Sequence, residues 1–383
     1  MGHSITADNM TLVPKWLHND FLLNVIRKAQ NDSSLWLCHG CKLRAETVPS
    51  RSQKPSIVLR TTVHYRSKRF HNEQAINLIM KIIPSENGLT NEYSVLGTEV
   101  AIYSQVLPAM IKTMKDVGEN VDFPRLIYAS PKPNTIVILE NVNPMNWRSF
   151  EEYRSTFDDV IATTHAIAKF HALSFFLCQT SIDLTQFKSI CAEPDANLIE
   201  KFNAFANTTS TWEAAENITR KIQNINPSAI AHNMKQVYKA NTMSSGYNVL
   251  NHGAIHPKNL FYKVDNTGLV TKTMLIDFQH CHWGSPAIDL ICLLDLVVKP
   301  EVKASKRNEI IHEYYNHFAQ VLSKIGYLGS VPTLTDLHVE LLRKGFLEVL
   351  HNVHHLETSD KSNEQLHKAV HADMVLLLHR GIV

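Results

Sequence analysis

The stretch from Leu250 to Leu290 holds the densest set of chemically capable side chains in the chain. His252-Gly253 leads it, Asn259 stands seven residues after the histidine, and the apolar run Met274-Leu275-Ile276 ends on Asp277. A loop asparagine and an aspartate closing a strand each offer a hard oxygen, the ligand type magnesium takes. Phosphoryl transfer from a nucleotide needs such a pair beside the phosphates. Upstream, Lys81 sits inside the apolar run Ile76–Ile83. An ammonium in such surroundings needs a partner. Glu99, on the next expected helix, is the natural one, and a lysine held in that way is suited to nucleotide phosphates.

These residues require elements to position them. Trp16 to Ala29 has helical spacing, with Trp16, Phe21, Leu22, Val25 and Ile26 on one side. Ile57–Tyr65 is β-branched and partly alternating, and Ile76–Ile83, closed by Pro84, reads as a buried strand. Glu92–Leu107 carries a helical stripe of Leu96, Val100, Tyr103 and Leu107, with Pro108 expected to stop it. Phe123–Tyr128 and Thr135–Glu140 read as strands joined by a turn at 130–134. The texture changes at Ser149. Helices are expected over Phe150–Leu177, Leu198–Ile222, Ala229–Met243, Ala287–Val298, Asn308–Ile325, Thr335–His355 and Asn363–Leu378. Two short strands, Leu260–Val264 and Thr273–Phe278, interrupt them. A small sheet-and-helix lobe followed by a large helical lobe, divided near Asn141–Met145, is a two-lobed plan.

Composition narrows the classes. Lys+Arg is 38 against Asp+Glu 36 in 383 residues, a formal net charge of +2, which argues against a dedicated nucleic-acid binder. Hydrophobic residues at 44% and charged residues at 19% describe a folded protein rather than a disordered one. No continuous apolar run reaches the roughly 18 residues of a membrane span. The N-terminus shows no basic region followed by an apolar stretch, so no secretory signal is expected. Met1-Gly2 with Thr6 meets the loose myristoylation pattern, with His3 a poor fit. The six cysteines are read as reduced thiols, and Cys38-His39-Gly40-Cys41 lacks the second ligand pair a zinc knuckle needs.

Ile276-Asp277-Phe278-Gln279, followed by Trp283-Gly284-Ser285-Pro286-Ala287-Ile288-Asp289-Leu290, resembles the ecdysteroid-kinase-like family of insects. Its members carry a choline-kinase-like (CHK) domain and are distant relatives of choline kinases and aminoglycoside phosphotransferases. The helical segment Ala168-Lys169-Phe170-His171-Ala172-Leu173-Ser174, the stretch Glu99–Pro108 and Leu139-Glu140-Asn141-Val142 are similar to further family motifs. The resemblance runs from about residue 35 to 330. It implies an α+β, protein-kinase-like two-lobed fold with nucleotide in the cleft between lobes. The parts would be an N-terminal helical extension 1–34, an N-lobe 35–142 with its hinge at 140–142, and a helical C-lobe 143–383. The C-lobe would carry a catalytic loop at 252–259 and a metal-binding segment at 277–279.

The implied reaction moves the γ-phosphoryl of ATP to an alcohol on a small lipophilic molecule, an ecdysteroid or similar steroid among them. By the same resemblance Lys81, held by Glu99, faces the phosphates. The backbone of Glu140, Asn141 and Val142 holds adenine, and Asn259 and Asp277 hold Mg2+. The acceptor lies among helices that include Gln179–Thr242. A cytoplasmic protein is expected, without nucleic-acid partner or membrane span.

Two departures bear on activity. Where the family's catalytic loop has an aspartate that takes the substrate hydroxyl proton, this chain has Ala254, and a methyl group takes no proton. Where the family has a small-residue, glycine-bearing loop over the phosphates, this chain has Ser50-Arg51-Ser52-Gln53-Lys54-Pro55-Ser56. Glycine permits close backbone approach, and proline removes a donor. A smaller departure is His256, where the family often has tryptophan. A general base contributes roughly 10²–10⁴-fold, about 3–5 kcal/mol of barrier. Two readings follow. One is a pseudokinase or very weak kinase that binds a ligand or a protein partner. The other is an active small-molecule kinase with a non-standard catalytic loop.

Several neighbours of the motif have plainer readings. His252 is expected to bond backbone near the Asp277 turn, and Asp289 to steady the catalytic loop or a helix start. His256 is offset by two residues from the base position. His351, His354 and His355 share a helix face that is read as half-buried rather than metal-binding. Trp147 and Trp283 fit either a pocket wall or a core.

Overall fold

The computed structural model describes residues 13–14, 16–41, 44–46, 57–83, 95–130, 135–142, 145–150, 156–189, 197–212, 216–223, 227–242, 246–358 and 364–382. The loop at 50–56 lies outside them. The chain is α+β and divides into two compact units, Met1–Ile111 with Val121–Arg148, and Lys112–Asn120 with Ser149–Val383.

The first unit is built on an antiparallel sheet. After helix α1 (Asn19–Ala29) come strands β1 (Trp36–Leu37), β2 (Arg44–Glu46), β3 (Ile57–Ser67) and β4 (Phe70–Ile83). Helices α2 (Val95–Ala101) and α3 (Leu107–Asp116) precede strands β5 (Leu126–Ser130) and β6 (Thr135–Glu140). The order is β1-β3-β4-β6-β5, with β2 also paired to β3. In β3, Leu59, Thr61, Val63, Tyr65 and Ser67 are buried while Thr62 and Arg66 are exposed, the period-2 signature of a half-buried strand. In β4, Ile76, Leu78, Met80 and Ile82 join the Leu22, Val25 and Ile26 face of α1 in one core cluster. Lys81 alternates with them and takes the opposite face of the strand.

The helical path does not stop at Pro108. A π-helical turn, Ile102–Val106, links α2 to α3, and the Leu107 N–H donates to the Ile102 carbonyl, five residues back. A proline in an α-helix clashes with the carbonyl four residues earlier and leaves it without a donor. The wider π turn relieves that crowding, so the path continues to Asp116.

In the second unit the long helix α4 (Phe157–Thr180) is central. It starts at Thr156, whose hydroxyl accepts the Asp159 N–H, rather than at Phe150 as the pattern predicts. Its length and mean hydropathy would suit a membrane span. Its apolar residues Val160, Ile167, Phe170 and Leu173 are buried within the unit, as in a core helix. Helices α5 (Leu198–Thr209) and α6 (Glu216–Gln223) replace the single helix expected over 198–222. The hydroxyls of Thr208, Thr209, Ser210 and Thr211 each bond a carbonyl three or four residues back, which competes with helix continuation. Helix α7 (Pro227–Tyr238) follows, then strands β7 (Val249–Asn251), β8 (Leu260–Val264), β9 (Val270–Leu275) and β10 (His282–Gly284). Helices α8 (Ala287–Leu296) and α9 (Pro300–Lys324) come next.

The helix expected over 335–355 is also two, α10 (Leu334–Arg343) and α11 (Phe346–Thr358), before the last helix, α12 (Glu364–His379). The break falls at Lys344-Gly345. The Lys344 ammonium caps α7 by donating to the Gln236 and Lys239 carbonyls at 2.8 and 3.0 Å. A Cβ on Gly345 would stand 2.3 Å from Ile382 Cδ1.

The unit also buries a charge network. Lys303 donates to Asp295 at 2.7 Å and to Asp373 of α12, and His351 lies 2.8 Å from Asp295. Burial pushes the Asp295 carboxyl up, but Lys303 and His351 outweigh it and hold it well below the carboxylate range. Burial pushes Lys303 down, but Asp295 and Asp373 more than reverse that. His355 Nε2 donates to the Asp295 carbonyl at 3.1 Å, and His354 faces Glu357. Among the described residues no group of three His, Cys, Asp or Glu converges on a metal position.

Removing Lys303 strands a buried carboxylate. Lys303→Met is expected to cost about 3–5 kcal/mol in urea unfolding. A depressed carboxyl stabilises fully above its unfolded value, about 3.9, and the gain is lost as pH falls below that. The acid decline in melting temperature should therefore be shallower in Lys303→Met than in wild type.

Candidate functional site

In the first unit, Lys81 Nζ lies 2.8 Å from Glu99 Oε1. The Glu99 side chain is fully buried and that of Lys81 is 16% exposed, so the ammonium is fixed at its carboxylate end and can still reach outward. The strand register makes this geometry. Lys81 pairs with Val58 and Val137, which sets it in the middle of the sheet, and Glu99 projects from α2.

The segment after β6 is partly committed to its own sheet. The Glu140 N–H donates to the Arg125 carbonyl at 2.9 Å and the Asn141 N–H to the Asn77 carbonyl at 2.8 Å. The side chains are engaged as well. Glu140 pairs with Arg125 at 3.0 Å, and Asn141 Oδ1 accepts from Arg60 at 3.4 Å. Of the three N–H groups at 140–142, only that of Val142 is left outside these two bonds.

In the second unit the loop 252–259 hangs from a buried carboxylate. Asp289, in the first turn of α8, accepts the backbone N–H of His252 at 2.6 Å and of Gly253 at 2.9 Å. It also faces His171 Nε2 of α4 at 3.0 Å, and His171 Nδ1 lies 2.7 Å from the Tyr314 hydroxyl of α9. Burial pushes the Asp289 carboxyl up, yet His171, His252 and the Gly253 N–H bring it below the ordinary range. A carboxylate with three such donors stays ionised.

The His252 ring completes the frame. Its Nε2–H donates to the Ile276 carbonyl at 2.8 Å, and burial lowers its pKa and favours the neutral ring. That bond pins the residue before Asp277. Asp277 itself sits at φ +68°, ψ +66°, a left-handed conformation rare for a residue with a side chain and worth roughly 1–3 kcal/mol of strain. Its Oδ1 accepts from Gln279 Nε2. Asn259 joins the same corner, its carbonyl accepting the Ile276 N–H at 3.1 Å and its Nδ2 donating to the carbonyl of residue 254 at 3.0 Å. That last bond leaves the amide oxygen as the end able to ligate a cation.

One carboxylate and one amide oxygen suit magnesium, which keeps waters and takes most of its ligands from phosphates. They do not suit a cation that needs a protein cage. Both residues stand at the start or end of the hairpin formed by β8 and β9, where Leu260 pairs with Leu275.

Two contributors are not legible in local sequence. His171 shows there only as part of a family motif, and its link to Asp289 spans 118 residues. His282, on β10, is paired in register with Asn251, and its Nδ1–H donates to the His280 carbonyl at 3.1 Å. Trp147 is a core residue, and the Trp283 N–H holds the Phe187 carbonyl at 2.8 Å. Cys38 and Cys41 carry no disulfide, and burial raises both thiols.

The model of the ecdysteroid kinase-like family matches residues 55–327. Solved structures with a similar course include macrolide 2'-phosphotransferase from Brachybacterium faecium, 12% identical, covering 93% of this chain and 98% of that one at a TM-score of 0.41. The choline kinase of Streptococcus pneumoniae is 12% identical, with 93% and 99% covered and a TM-score of 0.33. The ethanolamine kinase of Plasmodium vivax is 9% identical, with 90% and 84% covered and a TM-score of 0.37. No curated protein matches the chain.

Gly253 is the position this corner tolerates least. It has φ +77°, and a Cβ there would stand 2.2 Å from the His280 carbonyl oxygen. Gly253→Ala should destabilise the protein by more than about 2 kcal/mol in urea unfolding, through left-handed strain and the clash together.

Proposed function

Because the chain belongs to the ecdysteroid kinase-like family, we propose that it is a small-molecule kinase homologue that binds magnesium–ATP and transfers phosphate very slowly or not at all. The observation that carries this reading is a loop framed in full around an alanine. Asp289 grips 252–253, His252 grips Ile276, and Asn259 grips the carbonyl of residue 254, yet residue 254 ends in a methyl group.

The roles follow from the side chains. Lys81, held by buried Glu99, neutralises nucleotide phosphate. Glu140, Asn141 and Val142 border adenine through their remaining backbone groups. Asn259 and Asp277 hold the metal by their oxygens. When bound, magnesium neutralises charge on the β- and γ-phosphates. Nothing at residue 254 accepts the proton of the acceptor hydroxyl, so that proton must leave to water.

The acceptor in this reading is a lipophilic alcohol, a steroid hydroxyl being one example. What supports it is the family the chain belongs to; Phe202, Phe205, Ile218, Ile222, Ile230 and Met234 of α5–α7 are buried core residues. An active kinase with a non-standard loop is the second reading. The retained Lys81–Glu99 pair and the strained Asp277 favour it, since neither is needed for a fold alone.

Calorimetric titration with ATP, with and without magnesium, separates binding from its absence. Magnesium-dependent binding near micromolar, about −8 kcal/mol, is expected, and it should be lost in Asp277→Ala. Ala254→Asp should raise phosphate transfer to an accepted alcohol by about 10²-fold or more. Absence of ATP binding at millimolar nucleotide would sink the nucleotide reading. Wild-type transfer equal to that of Ala254→Asp, and well above Asp277→Ala, would establish the active-kinase reading instead.

A further inference from the structure

One end of the sheet in the first unit is made by the turn between β3 and β4 and by the loop 32–36 that leads into β1. Trp36 pairs in register with Arg66, and Ser67 pairs with Phe70. The Lys68 N–H donates to the Ser34 hydroxyl at 3.1 Å and the Arg69 N–H to the Ser67 hydroxyl at 3.1 Å, so loop and turn hold each other. Two large rings are left in solvent here, Trp36 and Phe70, each 46% exposed. Trp36 stands on the β1 side of β3 and Phe70 on the β4 side, so the rings bracket the turn.

The same end is cationic. The side chains of Arg66 and Arg69 are more than half exposed, and Lys68 is exposed at the turn. Arg27, in the last turn of α1, donates from Nε to the Leu35 carbonyl at 2.8 Å, which brings its guanidinium to the same loop. Among the described residues, two carboxylates touch these four cations. Glu73 lies 3.8 Å from Arg66 and is already engaged with His64 at 3.0 Å. Asp32 lies 3.8 Å from Arg69, and its buried side chain accepts from the Ser34 N–H and hydroxyl at 2.9 and 2.7 Å. Neither carboxylate pairs with Lys68 or Arg27. Four positive charges against two negative ones leave an excess of cation beside the two exposed rings.

We propose that this end of the sheet docks on the surface of an anionic lipid bilayer. Single exposed aromatic residues are ordinary on a protein surface. Two rings bracketing a turn that carries unpaired cations are a more specific combination. An indole suits the headgroup level and a phenyl ring the boundary with the acyl chains. Arg66, Lys68 and Arg69 then face anionic headgroups, where each cation near the surface strengthens binding roughly fivefold. A two-residue turn at a sheet end is convex and offers a folded partner no groove, whereas a bilayer yields to it. The surface belongs to the first unit and does not depend on the nucleotide reading.

The test is flotation of the full chain with vesicles of phosphatidylcholine alone and with vesicles of phosphatidylcholine mixed with phosphatidylserine. The mixed vesicles should bind the chain at least about tenfold more tightly than phosphatidylcholine alone, and high salt should release it. Lys68→Glu reverses one charge and should weaken that binding at least about tenfold. Trp36→Ser combined with Phe70→Ser should weaken it by a similar factor while leaving the charges in place. Far-UV circular dichroism checks that the variants fold, and the wild-type comparison of the two vesicles stands even if one does not. Equal binding to both vesicles would reduce the surface to an apolar contact and overturn the proposal. No binding to the mixed vesicles, or binding that neither variant weakens, would refute it as well. Capture by a soluble polyglutamate chain that is lost in Lys68→Glu and kept in the aromatic double variant would assign the patch to an acidic protein partner and overturn it equally.

Discussion

The second unit is organised by one buried carboxylate. Asp289 collects two consecutive backbone N–H groups and an imidazole, brought to it from the loop 252–259 and from α4. Backbone N–H groups in a buried loop must find acceptors, and a loop has no ladder to supply them. A carboxylate on the first turn of a helix is also favoured by that helix's N-terminal partial charge. The loop 252–259 can therefore be irregular and still be held. The left-handed turn at Gly253 is a direct consequence, because two successive N–H groups can point at one carboxylate only if the chain curls sharply there.

The strain at Asp277 is sustained by the same frame. His252 pins the carbonyl before it and Asn259 accepts the N–H of Ile276, so Ile276 is fixed on both sides. An unfavourable φ/ψ persists only where its surroundings over-determine it. The strain fixes the direction in which the Asp277 side chain leaves the backbone, and in the proposed function that side chain is one of the two that hold the metal. In the first unit the equivalent device is simpler. A sheet with core on one face leaves Lys81 on the other, and a fully buried Glu99 holds it. Removing either partner would strand a charge, so the pair is kept or lost together.

The frame around residue 254 makes no use of its side chain. The bonds described for the loop use backbone groups or the side chains of His252, Asn259 and Asp289. None uses the side chain at 254, so an alanine is accommodated there without unfolding the loop. This is why a framed catalytic loop can accompany feeble transfer in the proposed function.

Much was legible in the amino-acid order, and the reason is local. Strands β3, β4 and β6 show in β-branched, alternating or continuous apolar runs, because side-chain direction has period two. The placement of Lys81, Asn259 and Asp277 follows from such runs and from the motif residues beside them. Element ends were less legible. Pro108 reads as a stop, and only a π turn, a feature of backbone hydrogen bonding, carries the helix past it. The run Thr208–Thr211 breaks one expected helix by local hydroxyl bonds that a hydrophobic pattern does not register. What tertiary structure alone decided are the long-range pairings: Asp289 with His171, Lys303 with Asp373, and Glu348 between two arginines. A buried charge accepts whichever partner the packing of helices brings to it, and local sequence spacing carries no record of that encounter.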